Sequence, residues 1–400
     1  MSNVSLAVIG CGVIGRVHAW SLAALPGATP ALLVDTRRER AERLAADLVT
    51  AFPSLEKPAV AETTAEALNR SEVDALTIAL PHAEHRGPFE AALCAGKAVL
   101  CEKPYATSMA DLVAMRTAAA AAAVPAMGVF QHRYSPLARF LRRSIRSGRL
   151  GCVQSLGIDF ACHRDESYYD SEAWRGSWAT EGGSLLINQA IHTIDLAVFL
   201  LGDPSWVSGS VARRWVPNIE TEDWAEGSFG YDNADAPWLQ EQTTVSLHAE
   251  NRRDAGWRPR LTVRCDAGEI ELHGSGTVVA CSVRDDEWSD ALDAAGREDL
   301  NLPSLPGKSD YSDLHTAQFR DFIAWLHASH NGSGPQGSSP YEPWVGFTEG
   351  SVTNELVLAF YTSAARGERI TLPLDREEYP VEATAATQPA SAHSGSRATA

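Results

Sequence analysis

The chain has 400 residues, 44% of them hydrophobic, and a formal net charge of −17 at pH 7. That length exceeds one ordinary domain and suits two, and acidity without a long basic tract excludes nucleic acid and an anionic membrane surface as partners. The longest alanine-rich run, 118–124, is too short to span a membrane, no signal peptide precedes the first strand, and seven scattered cysteines without a C-x-x-C spacing fit reduced thiols rather than disulfides or a metal, so a cytoplasmic enzyme is expected.

The apolar run at 4–9 predicts a buried strand. It leads into Gly10-Cys11-Gly12-Val13-Ile14-Gly15, a helix over 13–25 and a second strand at 31–34 that ends at Asp35, twenty positions after Gly15. Strand, glycine loop, helix, strand and terminal acid, in that order, are what a dinucleotide site requires. Gly10 permits the tight turn, Gly12 lets a pyrophosphate approach the backbone, and Gly15 lets the helix pack on the sheet. The N–H groups at the helix start, around Val13 and Ile14, then face the phosphates. Asp35 can accept hydrogen bonds from both ribose hydroxyls, and its charge repels a 2′-phosphate, which favours NAD. Arg37 and Arg38 follow it and keep NADP open, although a solvated helix face over 37–48 accounts for them better.

The alternation continues with strands at 57–60, 73–80, 98–101 and 126–130 and helices at 63–68, 84–95 and 108–123, the last capped by Ser108. This predicts an α/β Rossmann domain, a doubly wound parallel sheet, over residues 1–130. The pattern then changes. A basic helix over 136–147 and an alternating strand at 153–162, which reads as antiparallel, precede a helix over 183–201. Strand candidates follow at 206–215, 223–231, 242–250, 260–266 and 269–273, then helices at 313–330 and 346–365 and a closing strand at 368–374. The expectation is an α+β domain with a large, mainly antiparallel open sheet over 131–380. Residues 331–340 read as a flexible loop and 381–400, rich in Ala, Thr, Ser and Pro, as a disordered tail.

In such an open sheet, ligands sit beyond the C-terminal strand ends. One end reads Leu80-Pro81-His82-Ala83-Glu84-His85 and the next Glu102-Lys103-Pro104. Unpaired charges at a buried strand end cost roughly several kcal/mol, so Glu102 and Lys103 need a reason, and a nicotinamide would lie there. Leu80, Pro81, His85, Glu102, Lys103 and, after the sixth strand, Gln131 are therefore the cofactor-side candidates. Further on, Gly182 and Gly183 open a helix on which Asn188, His192 and Asp195 fall at i, i+4 and i+7, on one face. His163 and Arg164 end the strand before it, and Tyr168, Tyr169, Trp174, Arg175 and Trp178 occupy the intervening loop. These offer the ring faces and hydrogen-bonding groups that a sugar needs.

The combination of Gly10-x-Gly12-x-x-Gly15, Glu102-Lys103-Pro104 and the helix from Gly182-Gly183 to His192 resembles the glucose–fructose oxidoreductase / inositol dehydrogenase / MocA (Gfo/Idh/MocA) family. The resemblance covers roughly residues 4–374, and the segment 361–374 is similar to the family's ending. It implies an N-terminal Rossmann domain and a C-terminal domain whose large sheet forms the interface of a homodimer or homotetramer. It also implies NAD(P)-dependent oxidation or reduction at a sugar or polyol carbon. Lys103 is then the lysine of the E-K-P motif and His192 the helix histidine. Family members commonly carry an aspartate four residues before that histidine, where this chain has Asn188. An amide cannot take a proton, so Asn188 can position a hydroxyl but cannot form an acid/base pair. The expected reaction is hydride transfer from a secondary hydroxyl to nicotinamide, with Lys103 and His192 handling the proton. The alternatives are a glycosidase that uses NAD transiently, through C3 oxidation and elimination, and a non-catalytic NAD-binding sugar sensor. Retention of both Lys103 and His192 argues against the sensor.

Overall fold

The computed structural model describes residues 3–232, 236–303, 312–330 and 345–374; the expected loop at 331–340 and tail at 381–400 lie outside the described residues. The first sheet is built from β1 (Val4–Ile9), β2 (Ala28–Val34), β3 (Ala59–Ala61), β4 (Ala75–Ile78), β5 (Ala98–Cys101) and β6 (Ala126–Gly128). All pair in parallel, in the order β3-β2-β1-β4-β5-β6. Strands β4, β5 and β6 are buried along their whole length, as expected where helices cover both faces. Those helices are α1 (Val13–Ala24), α2 (Arg38–Ala51), α3 (Thr64–Leu68), α4 (Arg86–Cys94) and α5 (Met109–Ala121). Thr63 and Glu66 close a capping box on α3, and Ser108 accepts the Asp111 N–H at the start of α5. The strand order reverses between β1 and β4, which opens a crevice above their C-terminal ends, beside Gly10 and Leu80.

The second sheet contains β7 (Val153–Cys162), β8 (Trp206–Ala212), β9 (Trp224–Gly230), β10 (Leu239–Asn251), β11 (Arg258–Cys265), β12 (Gly268–His273), β13 (Thr277–Cys281) and β14 (Ile370–Thr371). Their order is β13-β12-β11-β7-β10-β9-β8-β14. The sheet is antiparallel except at its centre. There β7, expected as an antiparallel strand, runs parallel to β10 while pairing antiparallel with β11. Alternation reports one buried face and carries no information on the direction of the neighbour.

The helices of this half are α6 (Pro136–Arg146), α7 (Glu166–Asp170), α8 (Ile191–Leu201), α9 (Asp286–Gly296), α10 (Ser312–His330) and α11 (Phe347–Arg366). The elements α7, α9 and β13 have no counterpart in the sequence reading; β13 is mostly exposed and so lacks an apolar face. The expected helix over 183–201 is two pieces: Leu185–Ala190 is π-helical and α8 starts only at Ile191. One face of the sheet, with Ile158, Phe160, Val245, Leu247, Leu261 and Val263, is buried in the main core with α8 and α11. Gly209 and Gly227 leave room there for the Phe360 ring of α11. Helix α10 returns to the N-terminal sheet, where Phe319, Phe322, Ile323 and Leu326 share a core with Val4, Leu6 and Val8. All seven cysteines are free, and among the described residues no helix is long and apolar enough to cross a membrane.

Candidate active site

The glycine loop divides its work as its spacing implies. Gly10 has φ +93°, and a Cβ there would overlap the Ala79 carbonyl; a Cβ at Gly15 would overlap the Gly10 carbonyl. Gly12 is different, because a Cβ there would meet nothing within 4 Å. It leaves open space in front of the N-terminus of α1, whose cap carries no side-chain hydrogen bond. The first-turn N–H groups, those of Val13 and Ile14 included, are therefore available to phosphates. Asp35 accepts the N–H groups of Cys11 and Arg37, both at 2.9 Å, and so ties the loop to the end of β2. Arg37 and Arg40 donate to Glu172 of the second half at 3.3 and 2.7 Å, and Arg38 to Glu42 at 2.9 Å. Open space, free donors and a carboxylate at the right strand end fit a dinucleotide.

Two turns past the sheet hold the candidate catalytic groups. Lys103 Nζ donates to the backbone oxygen of Asn188 at 2.9 Å and to its Oδ1 at 3.1 Å. Asn188 Nδ2 in turn donates to Glu181 Oε1 at 2.6 Å. An ammonium needs an acceptor and a carboxylate needs a donor, so these partners fix which way the amide points. Burial raises the Glu181 carboxyl and lowers Lys103, while the charges of Glu102 and Glu181 push the lysine back up. His192 is half-buried at the start of α8, 5.0 Å from the ring of His132 and 6.1 Å from that of Phe130. Its Nδ1 has no hydrogen-bond partner. Burial, then the Lys103 charge, hold its pKa well below the ordinary histidine value, so the ring is neutral and able to accept a proton.

The E-K-P turn rests on a buried base. Glu102 Oε1 lies 3.1 Å from His18 Nε2 and 3.6 Å from His315 Nε2, and its Oε2 accepts the Lys103 N–H at 3.0 Å. Burial opposes ionisation of Glu102, but the hydrogen bonds from the two imidazoles outweigh it and hold the carboxyl well below the usual range. The ionised Glu102 can only accept, so His18 donates through Nε2, and its Nδ1 then accepts from Thr77 Oγ1 at 2.8 Å. The three residues are close enough to share a metal ion. They already satisfy one another, however, and the arrangement is complete as a hydrogen-bonded support for Lys103. His85 is fully buried, its ring nitrogens 2.8 Å from the Pro104 oxygen and 2.9 Å from the Leu80 oxygen. It braces the Pro81 and Pro104 turns from behind instead of lining the opening. Gln131 is 4% exposed and its Oε1 has no partner, a buried acceptor left free.

The loop before the π-helix supplies the other wall. Trp174 packs on His82 at 4.7 Å, and Arg175 lies over both Trp174 and Tyr168, at 4.5 and 4.2 Å. Tyr168 Oη accepts from Gln189 Nε2 at 3.0 Å, and Arg164 Nε donates to Gln189 Oε1 at 3.1 Å. Tyr168 Oη also accepts from Asn188 Nδ2 at 3.4 Å and Arg164 reaches the neighbouring Gln189, while Trp174 sits on His82; His163 is exposed and takes no part in this network. Asp195 also departs from the expected stripe: it is buried, paired with Arg133 at 2.6 Å and bonded to Thr353 at 2.8 Å. A face drawn at 3.6 residues per turn does not survive a π-helical stretch.

Glu181, Gln189 and His132 contact the candidate residues Asn188, Tyr168 and His192 and were not singled out from the sequence. Glu181 had a signal, an acid directly before Gly182-Gly183. Glu222 had none: it reaches in from just before β9 to accept the N–H groups of Ser184 and Leu186 at 3.1 and 2.9 Å and the Tyr361 hydroxyl at 2.6 Å. Burial pushes its carboxyl up to about 7. Gly183, at φ +135°, is what lets Tyr361 come so close.

Fold and cleft together define a two-domain oxidoreductase of the dinucleotide-binding class. Residues 4–129 match the oxidoreductase family with an NAD-binding Rossmann fold, and residues 138–271 match the GFO/IDH/MocA C-terminal domain. An uncharacterized oxidoreductase of Schizosaccharomyces pombe is 30% identical over 349 residues, 81% of this chain and 90% of that one. The chain belongs to the Gfo/Idh/MocA family. D-apiose dehydrogenase of Paraburkholderia graminis is 30% identical over 52% of each chain. Levoglucosan dehydrogenase of Pseudarthrobacter phenanthrenivorans is 27% identical over 54% of this chain and 56% of its own. The match thus spans about half the length of these two relatives. Among solved structures, a levoglucosan dehydrogenase in complex with NADH and levoglucosan superposes with a TM-score of 0.73 at 20% identity, covering 93% of this chain and 100% of that one. The WlbA dehydrogenase from Bordetella pertussis, in complex with NADH and UDP-GlcNAcA, gives 0.75 at 22% identity, covering 94% and 99%. At these identities the likeness is one of fold.

Proposed function

We propose that this protein is an NAD-dependent dehydrogenase that oxidises a secondary hydroxyl of a sugar, sugar derivative or polyol. The observation that supports the reading is the double hydrogen bond of Lys103 to Asn188, just beyond a strand end of the nucleotide-binding sheet, with a neutral His192 close enough for the Lys103 charge to lower its pKa. NAD, when bound, would supply the hydride acceptor for oxidation of the carbinol. The remaining work falls to the chain. The glycine loop and α1 hold the diphosphate, Asp35 holds the adenosine ribose, and Gln131 offers its free oxygen to an amide hydrogen. Two of the three Lys103 ammonium hydrogens go to Asn188, and the third is left for the substrate oxygen, where it stabilises developing negative charge. His192 accepts the hydroxyl proton. Trp174, Tyr168 and Arg164 supply a ring face and donors for the rest of the sugar.

Asn188 stands where relatives commonly place an aspartate. Glu181 restores a carboxylate one contact further out, and it orients the amide without competing for the proton. NAD is preferred over NADP because Asp35 occupies the ribose position and Arg37, Arg38 and Arg40 are already paired with carboxylates. The second sheet presents Ser246, Arg260 and Thr262 on the face opposite its core, and self-association through this sheet as a dimer or tetramer is the expected assembly. The test is a screen of purified protein with NAD and NADP against sugars, inositols and glycosides, following the reduced cofactor. Accumulation of NADH supports the dehydrogenase. Aglycone release without net NADH would point to a redox-neutral glycosidase, and cofactor binding with neither product to a sensor.

A further inference from the structure

A cavity of about 990 Å³ opens behind α8, and its lining includes none of Lys103, Asn188 or His192. That volume is in the range of small-molecule sites. Arg142 and Arg146, one turn apart on α6, both line it. Arg142 lies over the Phe199 ring at 4.7 Å and spends only its Nε on a carbonyl, that of Phe199 at 3.0 Å. Arg146 lies over Trp238 at 4.9 Å, and its Nε is buried with no hydrogen-bond partner. Neither guanidinium has a carboxylate within ion-pair distance among the described residues, although the charge of Asp203 acts on Arg146 from further off, in a chain whose net charge is −17. Tyr231 lines the same cavity; it is 2% exposed and its hydroxyl has no partner either. Buried donors without acceptors are costly, and in this number they mark a place where an anion completes the structure. Burial and the neighbouring Arg146 and Arg133 push the Arg142 guanidinium down to about 10, a repulsion that an anion relieves. Asp203 and Glu349, both exposed, also line the space and suit hydroxyl donors.

We propose that this cavity binds a phosphorylated sugar or polyol, with its phosphate on Arg142, Arg146 and Tyr231 and its hydroxyls toward Asp203 and Glu349. The proposal does not depend on the dehydrogenase reading. The wall includes Arg133, which is paired through two hydrogen bonds, at 2.6 and 2.9 Å, with Asp195, three residues beyond His192. A ligand here therefore rests against the back of the helix that carries His192.

The test is calorimetric titration of the full chain with glucose 6-phosphate, inorganic phosphate and glucose. Glucose 6-phosphate is expected to bind, inorganic phosphate to bind more weakly and glucose not to bind at this site. R142Q should weaken glucose 6-phosphate by about tenfold or more and Y231F by about threefold, whereas H192A, in the catalytic cleft, should leave it unchanged. Should R142Q fail to fold, Y231F, which loses only a hydroxyl, carries the test. Absence of binding by both phosphate probes, or binding that R142Q and Y231F leave intact at unchanged melting temperature, overturns the proposal.

Discussion

Lys103 Nζ donates to both oxygens of Asn188, the backbone oxygen at 2.9 Å and the side-chain oxygen at 3.1 Å. The pair joins the end of a strand in the first sheet to the π-helical turn that precedes α8. It commits two ammonium hydrogens and so aims the third. Lys103→Met and His192→Ala should each lower kcat by about 100- to 10,000-fold, the usual worth of positioned proton and charge handling. NADH affinity, followed by fluorescence titration, should change only slightly. Near-normal turnover of the true substrate by both variants would sink the assignment.

Glu181 acts through Asn188, and its two substitutions separate orientation from charge. Glu181→Ala leaves the Asn188 NH₂ without its acceptor and lets the amide turn, with an expected loss in kcat of roughly tenfold from misplacement. Glu181→Gln keeps an oxygen acceptor at the same place and should recover most of that loss. Steady-state kinetics of the two variants decide the matter: equal losses would mean that the charge, not the orientation, is what counts.

The pH profile follows from His192. Burial and the Lys103 charge hold its pKa well below 6.5, so the neutral ring persists through the mildly acidic range. The acid limb of kcat/KM is therefore expected below pH 6.5, and it should vanish in His192→Ala. A limb centred at or above the ordinary histidine value would contradict the role.

Stability has its own pH dependence. His18, His82, His85, His132 and His192 all have pKa values lowered by burial, His132 to about 4. Above pH 6.5 each is neutral in both folded and unfolded chains, and its contribution is intact. As pH falls below 6.5 the unfolded chain takes up protons that the folded one refuses, which favours unfolding by up to about 1.4 kcal/mol per pH unit for each ring. Glu102, whose carboxyl is held well below the usual range by the two imidazoles, loses its contribution in the same direction at lower pH. Urea midpoints should fall from pH 7 to pH 5; a flat profile would mean that these rings are more accessible than the structure has them.

Glu172 pairs with two arginines at the proposed adenosine end. It holds Arg40 at 2.7 Å and Arg37 at 3.3 Å, both from the start of the helix after Asp35. Glu172→Gln frees two guanidinium groups where a 2′-phosphate would lie. NADPH should bind about tenfold more tightly to this variant, within the range of a charged hydrogen bond, and NADH about as before. Titrations of the two cofactors that shift together would assign Glu172 to closure of the loop rather than to discrimination.

The N-terminal half was legible because its signals are local. Gly10, Gly12, Gly15 and Asp35 lie within one strand-helix-strand unit, and a glycine spacing determines a loop shape without help from distant residues. Lys103 stood out for a related reason: a charge at a buried strand end must have a partner, even if the sequence cannot say which. The partners themselves were not legible. Asp195 fell on the expected face with Asn188 and His192, yet it pairs with Arg133, because Glu222 and Tyr361 hold the start of the π-helical stretch and the spacing of side chains around the axis changes. Glu222 comes from near a different strand and Tyr361 from the last long helix, so no window of sequence contains both.

By itself the sequence determined a dinucleotide-binding parallel sheet and a second sheet after it, and it singled out Lys103 and His192 as the candidates to handle a hydroxyl proton, since backbone periodicity, glycine freedom and the cost of buried charge are local quantities. Only the tertiary structure decided that β7 runs parallel to β10, that α10 returns to pack on the first sheet, that Glu181 backs Asn188, and that His163 stays on the surface. These depend on which distant groups come within a few ångströms of one another, and hydrogen bonds and charges act only over such distances.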